Sequence, residues 1–359
     1  MQVPTPSIVI DADVVRRNVR KLAAYAKQHA MALRPHTKTH KSTLLAGIQR
    51  EAGAIGLTVA KVGEAQVMAE AADDLLMAYP AVDPFRCGEL AKLALRKTVR
   101  VAMDSVEAAD HLAAAAQEAG STISLLVDLD VGFHRTGVQS PVAALALAEH
   151  ASRLDGVRVD GLFFYPGHVK DDQAESIAQL KGIDSLVGEA VGLFKKAGIS
   201  TEILSGGTTP TAYASHHIRN QTEIRPGTYV FYDMNGVRGG YASVDDCAAR
   251  VHATVVSTAV PNQFVIDAGT KTLTSDKCGP APDSGHGLIL EYPDARIVKL
   301  TEEHGQVDVT GSAKRPKVGE RVTIIPNHIC PCVNLQNQVW WNEAGEVRPI
   351  NVDARGRVV

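Results

Sequence analysis

The chain has 359 residues, 45% of them hydrophobic and 21% charged, with a formal net charge of −3. That balance is ordinary for a globular protein and offers no basic surface for nucleic acid or an anionic membrane. No apolar run approaches the roughly 20 residues needed to cross a bilayer.

The first residues, MQVPTPSIVID, lack a basic stretch followed by an apolar one, so they do not read as a secretory signal. Up to about residue 235, short apolar runs alternate with stretches of helical period. The runs are SIVI (7–10), MALR (31–34), IGLTVA (55–60), DLLMAY (74–79), VRVAM (99–103), ISLLVDLD (123–130), VDGLFFY (159–165) and EILSGG (202–207). In 12–29, Val15, Val19, Leu22 and Ala26 share one helical face, and Asp11 or Asp13 is placed to cap its start. Strand–helix alternation implies parallel strands with helical crossovers. Seven or eight such units fit a closed β/α barrel, and the glycine-rich turn of a dinucleotide fold is missing after the first run. Beyond about 240, segments such as ARVHATVVST, QFVIDAG and RVTIIPNHICPCVNL are β-rich with turns between them. The expected fold is therefore α/β: a TIM-type β/α barrel over 1–238 and an all-β domain over 239–359, with strand 5–11 available to pack with the latter. The cysteines (Cys87, Cys247, Cys278, Cys330, Cys332) are odd in number and sparse. They suggest a reducing cytoplasm rather than a disulfide framework.

The most unusual segment is Arg34-Pro35-His36-Thr37-Lys38-Thr39-His40-Lys41. Continued as a strand from MALR, it points His36, Lys38 and His40 to one side, toward the interior of a barrel. Neighbouring cations and partial burial lower an amine's pKa, which a Schiff-base lysine needs. A basic loop in solvent, or a plain phosphate-binding patch, is the competing reading. Ser205-Gly206-Gly207-Thr208-Thr209 ends a late strand and has the small residues of an anion-binding nest, or of a simple tight turn. Asp128 to Gly137 ends another strand, where Arg135 could hold an anionic oxygen or pair with Asp128. Tyr165 and His168 close the next run and suit the same mouth, although a structural tyrosine is as good a reading. In the β-rich part, His328 and Cys330 project to one side of an extended chain. One divalent ion could touch both, Zn²⁺ being the natural match to imidazole and thiolate. A buried thiol beside a hydrogen-bonded histidine is the commoner arrangement for such a pair.

Taken together, TPSIVIDADVVRRNV, RPHTKTHK, VGEAQVMAEA with LLMAYP, VDLDVGFHRTGV, FFYPGH, SGGTTPT, TEIRPGTYVFYD, IDAGTKTLTSD, EEHG and PNHICPCVNL resemble the D-threonine aldolase and D-serine dehydratase family. That family belongs to the alanine racemase-like (fold type III) enzymes of pyridoxal 5'-phosphate (PLP). The resemblance runs nearly end to end. It implies PLP on Lys38, Arg135 near the cofactor's phenolic oxygen, and the SGGTT loop with Tyr229 near its phosphate. It also implies a divalent metal (Zn, Mn or Mg) on His328 and Cys330, near the cofactor, and a homodimer. The expected reaction is retro-aldol cleavage of a D-3-hydroxy amino acid to glycine and an aldehyde, with His36, His40 or His168 as the hydroxyl base. The alternatives are dehydration of D-serine or D-threo-3-hydroxyaspartate, then amino-acid racemisation, then a non-catalytic PLP carrier.

Overall fold

The computed structural model describes residues 3–170 and 173–359. Strand β1 (Ser7–Asp11) leads straight into helix α1 (Ala12–Gln28). Asp11 caps the helix, its Oδ1 accepting the N–H groups of Asp13 and Val14 at 3.0 and 3.1 Å. Val15, Val19, Leu22 and Ala26 form its buried stripe.

Eight strands then make one parallel sheet. They are β2 (Ala32–Leu33), β3 (Leu57–Val59), β4 (Asp74–Met77), β5 (Thr98–Met103), β6 (Ile123–Asp128), β7 (Val157–Phe163), β8 (Ile203–Gly206) and β9 (Glu223–Ile224). Six helices cross between them: α2 (Thr43–Glu51), α3 (Val62–Met68), α4 (Pro84–Ala94), α5 (Val106–Ala119), α6 (Pro141–Ala151) and α7 (Ala174–Lys196). The neighbour order is β2-β9-β8-β7-β6-β5-β4-β3. A bridge between His36 and Thr58 joins the two ends, with Thr58 N–H donating to Pro35 and Ile55 N–H to Leu33, both at 2.9 Å. The sheet is thus a closed barrel.

Its interior holds an ionic layer under an apolar one. Arg34, only 1% exposed, donates through Nε to both oxygens of Glu223 at 3.0 Å and through Nη1 to Asp74 at 2.6 Å. Arg100 pairs with Asp74 at 3.0 Å and with Asp160. Arg34–Asp74 reaches across β3 and Arg100–Asp160 across β6, which only side chains in the barrel lumen can do. Leu76, Ala102, Leu126, Phe163 and Ile203 form a buried cluster. On β4, β5 and β6 these residues stand two positions beyond Asp74, Arg100 and Ser124, on the same strand faces.

The first barrel strand is the MALR run, and SIVI joins the sheet of the β unit, the packing that was open to strand 5–11. The eighth, β9, is two residues long, too short to show any periodicity.

The remaining elements form the second compact unit: α8 (Met234–Arg238), β10 (Ala249–Ser257), β11 (Gln263–Ile266), α9 (Thr270–Leu273), β12 (Gly287–Ile289), β13 (Arg296–Leu300), β14 (Gly305–Asp308), β15 (Arg321–Pro326), α10 (Ile329–Asn334), β16 (Gln338–Glu343) and β17 (Glu346–Asn351). The nine-stranded sheet runs β13-β14-β11-β10-β1-β16-β17, with β15 pairing both β10 and β12. All pairings are antiparallel except β1 with β16. Alternation on β10 buries Ala249, Val251, Ala253 and Val255 on one face.

One unit comprises Met1–Val19 with Thr228–Arg355, the other Arg20–Gly227 with Gly356–Val359. The division therefore falls at Thr228 rather than 239. Residues 228–238 bond into the β unit, where Ala248 N–H donates to Phe231 at 2.8 Å and Asn235 N–H to Asn327 at 3.2 Å. Among the described residues, no helix is long and apolar enough to cross a membrane.

Candidate active site

In the barrel unit, the segment after β2 does not continue as a strand. Thr37–Thr39 form a single 3-10 turn, so the expected same-side projection of His36, Lys38 and His40 is not what the chain adopts. His36 and His40 are 8% and 1% exposed, while Lys38 between them is exposed. The turn reverses the chain because His36 caps it, its Nδ1 accepting the Lys38 N–H at 3.4 Å. His40 has a structural role: Nδ1 accepts the Ser42 N–H at 3.1 Å and Nε2 bonds Gln49 at 3.2 Å. Beneath the turn lies Glu64 of α3, fully buried. It accepts the Thr37 hydroxyl at 2.6 Å and the Ala60 N–H at 3.1 Å, and faces Lys41 Nζ at 3.7 Å. The Arg225-Pro226-Gly227 turn packs against the same segment. A Cβ on Gly227 would lie 3.1 Å from Thr39 Oγ1 and 3.3 Å from His36 Cβ. Burial, reinforced by Lys38, Arg225, Lys41 and His40, holds His36 well below the usual imidazole range, so it is neutral at pH 7.

The other polar candidates of this unit follow the C-terminal ends of β6, β7, β8 and β9, the face on which barrel enzymes build their sites. Asp130 organises the loop after β6. Its Oδ1 accepts the N–H groups of Gly132, Phe133 and His134 at 3.0 to 3.1 Å, and Oδ2 bonds His134 Nδ1 at 2.6 Å. Burial opposes its charge, but the backbone donors prevail and hold its carboxyl at about 2. That loop presents Phe133 and Arg135, whose guanidinium lies 4.6 Å from the Tyr165 ring centre. Asp128, Phe133, Arg135, Thr136 and Tyr165 line one small cavity. Burial pushes Asp128 up to about 6, although the Thr136 hydroxyl donates to it at 2.8 Å. His168 packs on Gly132, and its Nδ1 is buried with no hydrogen-bond partner among the described residues. Burial lowers its pKa, which keeps the ring neutral.

At β8, Gly206 has no room for a side chain, since a Cβ there would sit 2.2 Å from the Phe164 ring, and Gly207 takes φ +86°. Thr208 and Thr209 are buried just beyond. The Ser205 hydroxyl, expected near a phosphate, donates to Glu223 and accepts from Arg225 Nη1 at 2.6 Å, inside the barrel. Arg225 itself escaped the sequence reading. It is buried, 3.8 Å from the Phe163 ring centre, and also donates to the Phe164 carbonyl at 2.9 Å. Burial brings it down to about 10, with Glu223 and Asp128 opposing, so it stays cationic at neutral pH. Tyr229 is fully buried within the β unit.

In the β unit, His328 is the N-cap of α10 and Cys330 its second residue, so a helix start rather than an extended strand brings them together. Cys330 hydrogen-bonds the His328 ring, Thr228 Oγ1 lies 3.5 Å from its sulfur, and Asp276 Oδ2 lies 2.8 Å from His328 Nδ1. Burial disfavours charge on His328, but Cys330, Asp233 and Asp276 together lift it to about 9. Asp233 anchors the turn, accepting the Gly236 N–H at 3.3 Å and the Ile329 N–H at 3.1 Å. Cys332 is buried, with its thiol pushed well up by burial, whereas Cys330 is partly exposed. Imidazole nitrogen beside sulfur suits a borderline-soft divalent ion. Among the described residues, no group of three or more His, Cys, Asp or Glu is arranged to hold a metal.

Residues 10–235 match the family described as alanine racemase, N-terminal domain, and 248–341 match the putative serine dehydratase domain. The D-threonine aldolase of Arthrobacter sp is 31% identical, the match covering 99% of this chain and 93% of that protein. The crystal structure of the D-threonine aldolase from Filomicrobium marinum, also 31% identical, superposes with a TM-score of 0.91 and covers 99% of this chain and 97% of its own. A solved cysteine-to-alanine mutant of D-threo-3-hydroxyaspartate dehydratase, in the metal-free form, is 28% identical with a TM-score of 0.88, covering 98 and 97%. The chain belongs to the D-threonine aldolase and D-serine dehydratase family, lyases with an alanine racemase-like fold.

Proposed function

We propose that this chain is a PLP- and divalent-metal-dependent lyase that cleaves D-3-hydroxy amino acids between Cα and Cβ, giving glycine and an aldehyde. The observation that carries the reading is the placement of Lys38, the only exposed residue from Arg34 to Ser42, on a turn locked from below. Lys38 would hold PLP through its ε-amino group. Gly206, Gly207 and Thr208 would serve the phosphate, with Tyr229 as a further candidate, and Arg135 and Tyr165 the ring. His328 and Cys330 would hold the metal. When bound, PLP supplies an electron sink for charge developing at Cα, and the metal a Lewis acid for the β-oxygen.

His168 is our choice for the base that takes the hydroxyl proton. Its ring is kept neutral and one of its nitrogens is unsatisfied. His40 is excluded by its two ring bonds, and His36 Nδ1 is engaged with the Lys38 N–H. Lys38 returns a proton to Cα once the aldehyde has left. Had Lys38 instead first removed the proton the substrate carries on Cα, the β-hydroxyl would leave from Cβ and dehydration would follow. Cys330 leans slightly toward this second reading, a solved relative being a cysteine-to-alanine mutant of a dehydratase in the metal-free form.

Incubation with PLP, Mn²⁺ or Zn²⁺, and either D-threonine or D-serine separates the two. Glycine and acetaldehyde from D-threonine support the aldolase, with EDTA abolishing the reaction. Pyruvate and ammonia from D-serine, without aldehyde from D-threonine, overturn it in favour of the dehydratase.

A further inference from the structure

We propose that Asp276 is the positioning residue of the metal centre: its carboxylate accepts a hydrogen bond from His328 Nδ1–H and so turns Nε2 toward the ion. The inference rests on the reading of His328 and Cys330 as ligands. A ligating imidazole binds through one nitrogen, and a carboxylate on the other fixes the tautomer and ring angle and makes the ring a better donor. Asp276 Oδ2 stands 2.8 Å from His328 Nδ1, which leaves Nε2 as the ligating atom.

Stability does not account for this contact. The two side chains are 44 and 40% exposed, and an ion pair that open adds little to folding. Yet the backbone leading to it is strained. Thr274, β-branched and buried, holds φ 63° and ψ −180°, a region otherwise occupied almost only by glycine. Such a conformation costs more than an exposed pair returns, and it persists because its surroundings impose it. Thr274 Oγ1 accepts the Asp276 N–H at 3.3 Å. Asn327, the buried residue immediately before His328, donates through Nδ2 to the Asp276 carbonyl at 3.1 Å and the Gly285 carbonyl at 2.7 Å. The main chain of Asp276 is therefore tied to the main chain that carries His328, so the two side chains keep their register.

The test is a Co²⁺ titration of the full-length, metal-stripped chain, followed by calorimetry and by the sulfur-to-cobalt absorption that reports Cys330. We expect Asp276→Ala to weaken Co²⁺ binding 10- to 100-fold, with the sulfur band still reached at saturation and the metal-free melting temperature unchanged. Asp276→Asn, which keeps an acceptor but not the charge, should recover part of the loss. If the alanine variant does not fold, the asparagine variant decides, and wild-type affinity in it overturns the proposal. Wild-type affinity in Asp276→Ala overturns it too, leaving the ligand pair intact if His328→Ala abolishes binding. If the wild-type chain shows neither binding nor the sulfur band, the ligand reading falls and Asp276 with it.

Discussion

In the barrel unit, Lys38 stands on a turn whose neighbours are buried and cross-linked, with Glu64 gripping Thr37 and Lys41 from below and the Arg34–Glu223–Asp74 cluster under the preceding strand. In the β unit, His328 and its partner Asp276 are both substantially exposed, and their alignment comes from a helix start and a strained Thr274. The two supports respond differently to damage. A buried ion that loses its partner keeps its desolvation cost, so the barrel turn is coupled to global stability. An exposed pair carries little folding energy, so the β-unit turn can lose function without losing its fold.

The largest expected effect breaks this comparison at its functional end. Lys38→Ala should cut lyase activity by about 1000-fold or more, yet shift urea stability by no more than about 0.5 kcal/mol, because the side chain is exposed. Next, Glu223→Ala strips Arg34 of one partner and frees the Ser205 hydroxyl. Chemical denaturation should show a loss of about 3–5 kcal/mol. Glu64→Gln keeps the shape but removes the charge facing Lys41. A smaller loss, about 1–3 kcal/mol, should come with faster release of PLP in gel filtration.

Acid should act on the barrel loop through Asp130. Its folded carboxyl titrates at about 2 against 3.8 for an ordinary aspartate, so its stabilisation is complete above about pH 4 and drains away as pH falls toward 2. Unfolding free energies of wild type and Asp130→Asn from urea titrations should therefore differ by about 2 kcal/mol at pH 6 and converge near pH 2. Within the β-unit turn, Asp276→Ala should cost little stability, no more than about 1 kcal/mol in the metal-free chain. A loss as large as that of Glu223→Ala would erase the distinction between the two turns.

Much of the barrel was legible because strand runs such as ISLLVD and helix faces such as Val15-Val19-Leu22-Ala26 carry clear periods. Strand β9 was not, since two residues have no period; β1 was legible as a strand able to pack with the β domain, but its partners β10 and β16 were not, because that pairing is entirely non-local. Lys38, Arg135 and His328 announced themselves through unusual local composition. Glu64, Arg225 and Asp276 did not. Each looks like a surface charge in its own segment and gains meaning only from partners that the fold delivers: Lys41 for Glu64, Ser205 for Arg225, His328 for Asp276. The strain at Thr274 is likewise invisible in a Thr-Ser-Asp string.

The central claim, that Lys38 carries PLP, is tested most directly by borohydride reduction of the PLP-loaded chain followed by peptide mass analysis. The account predicts a stable phosphopyridoxyl group on Lys38 and its loss in Lys38→Ala. A group found on another lysine, or no reducible adduct in a chain that still turns over D-threonine, would contradict it.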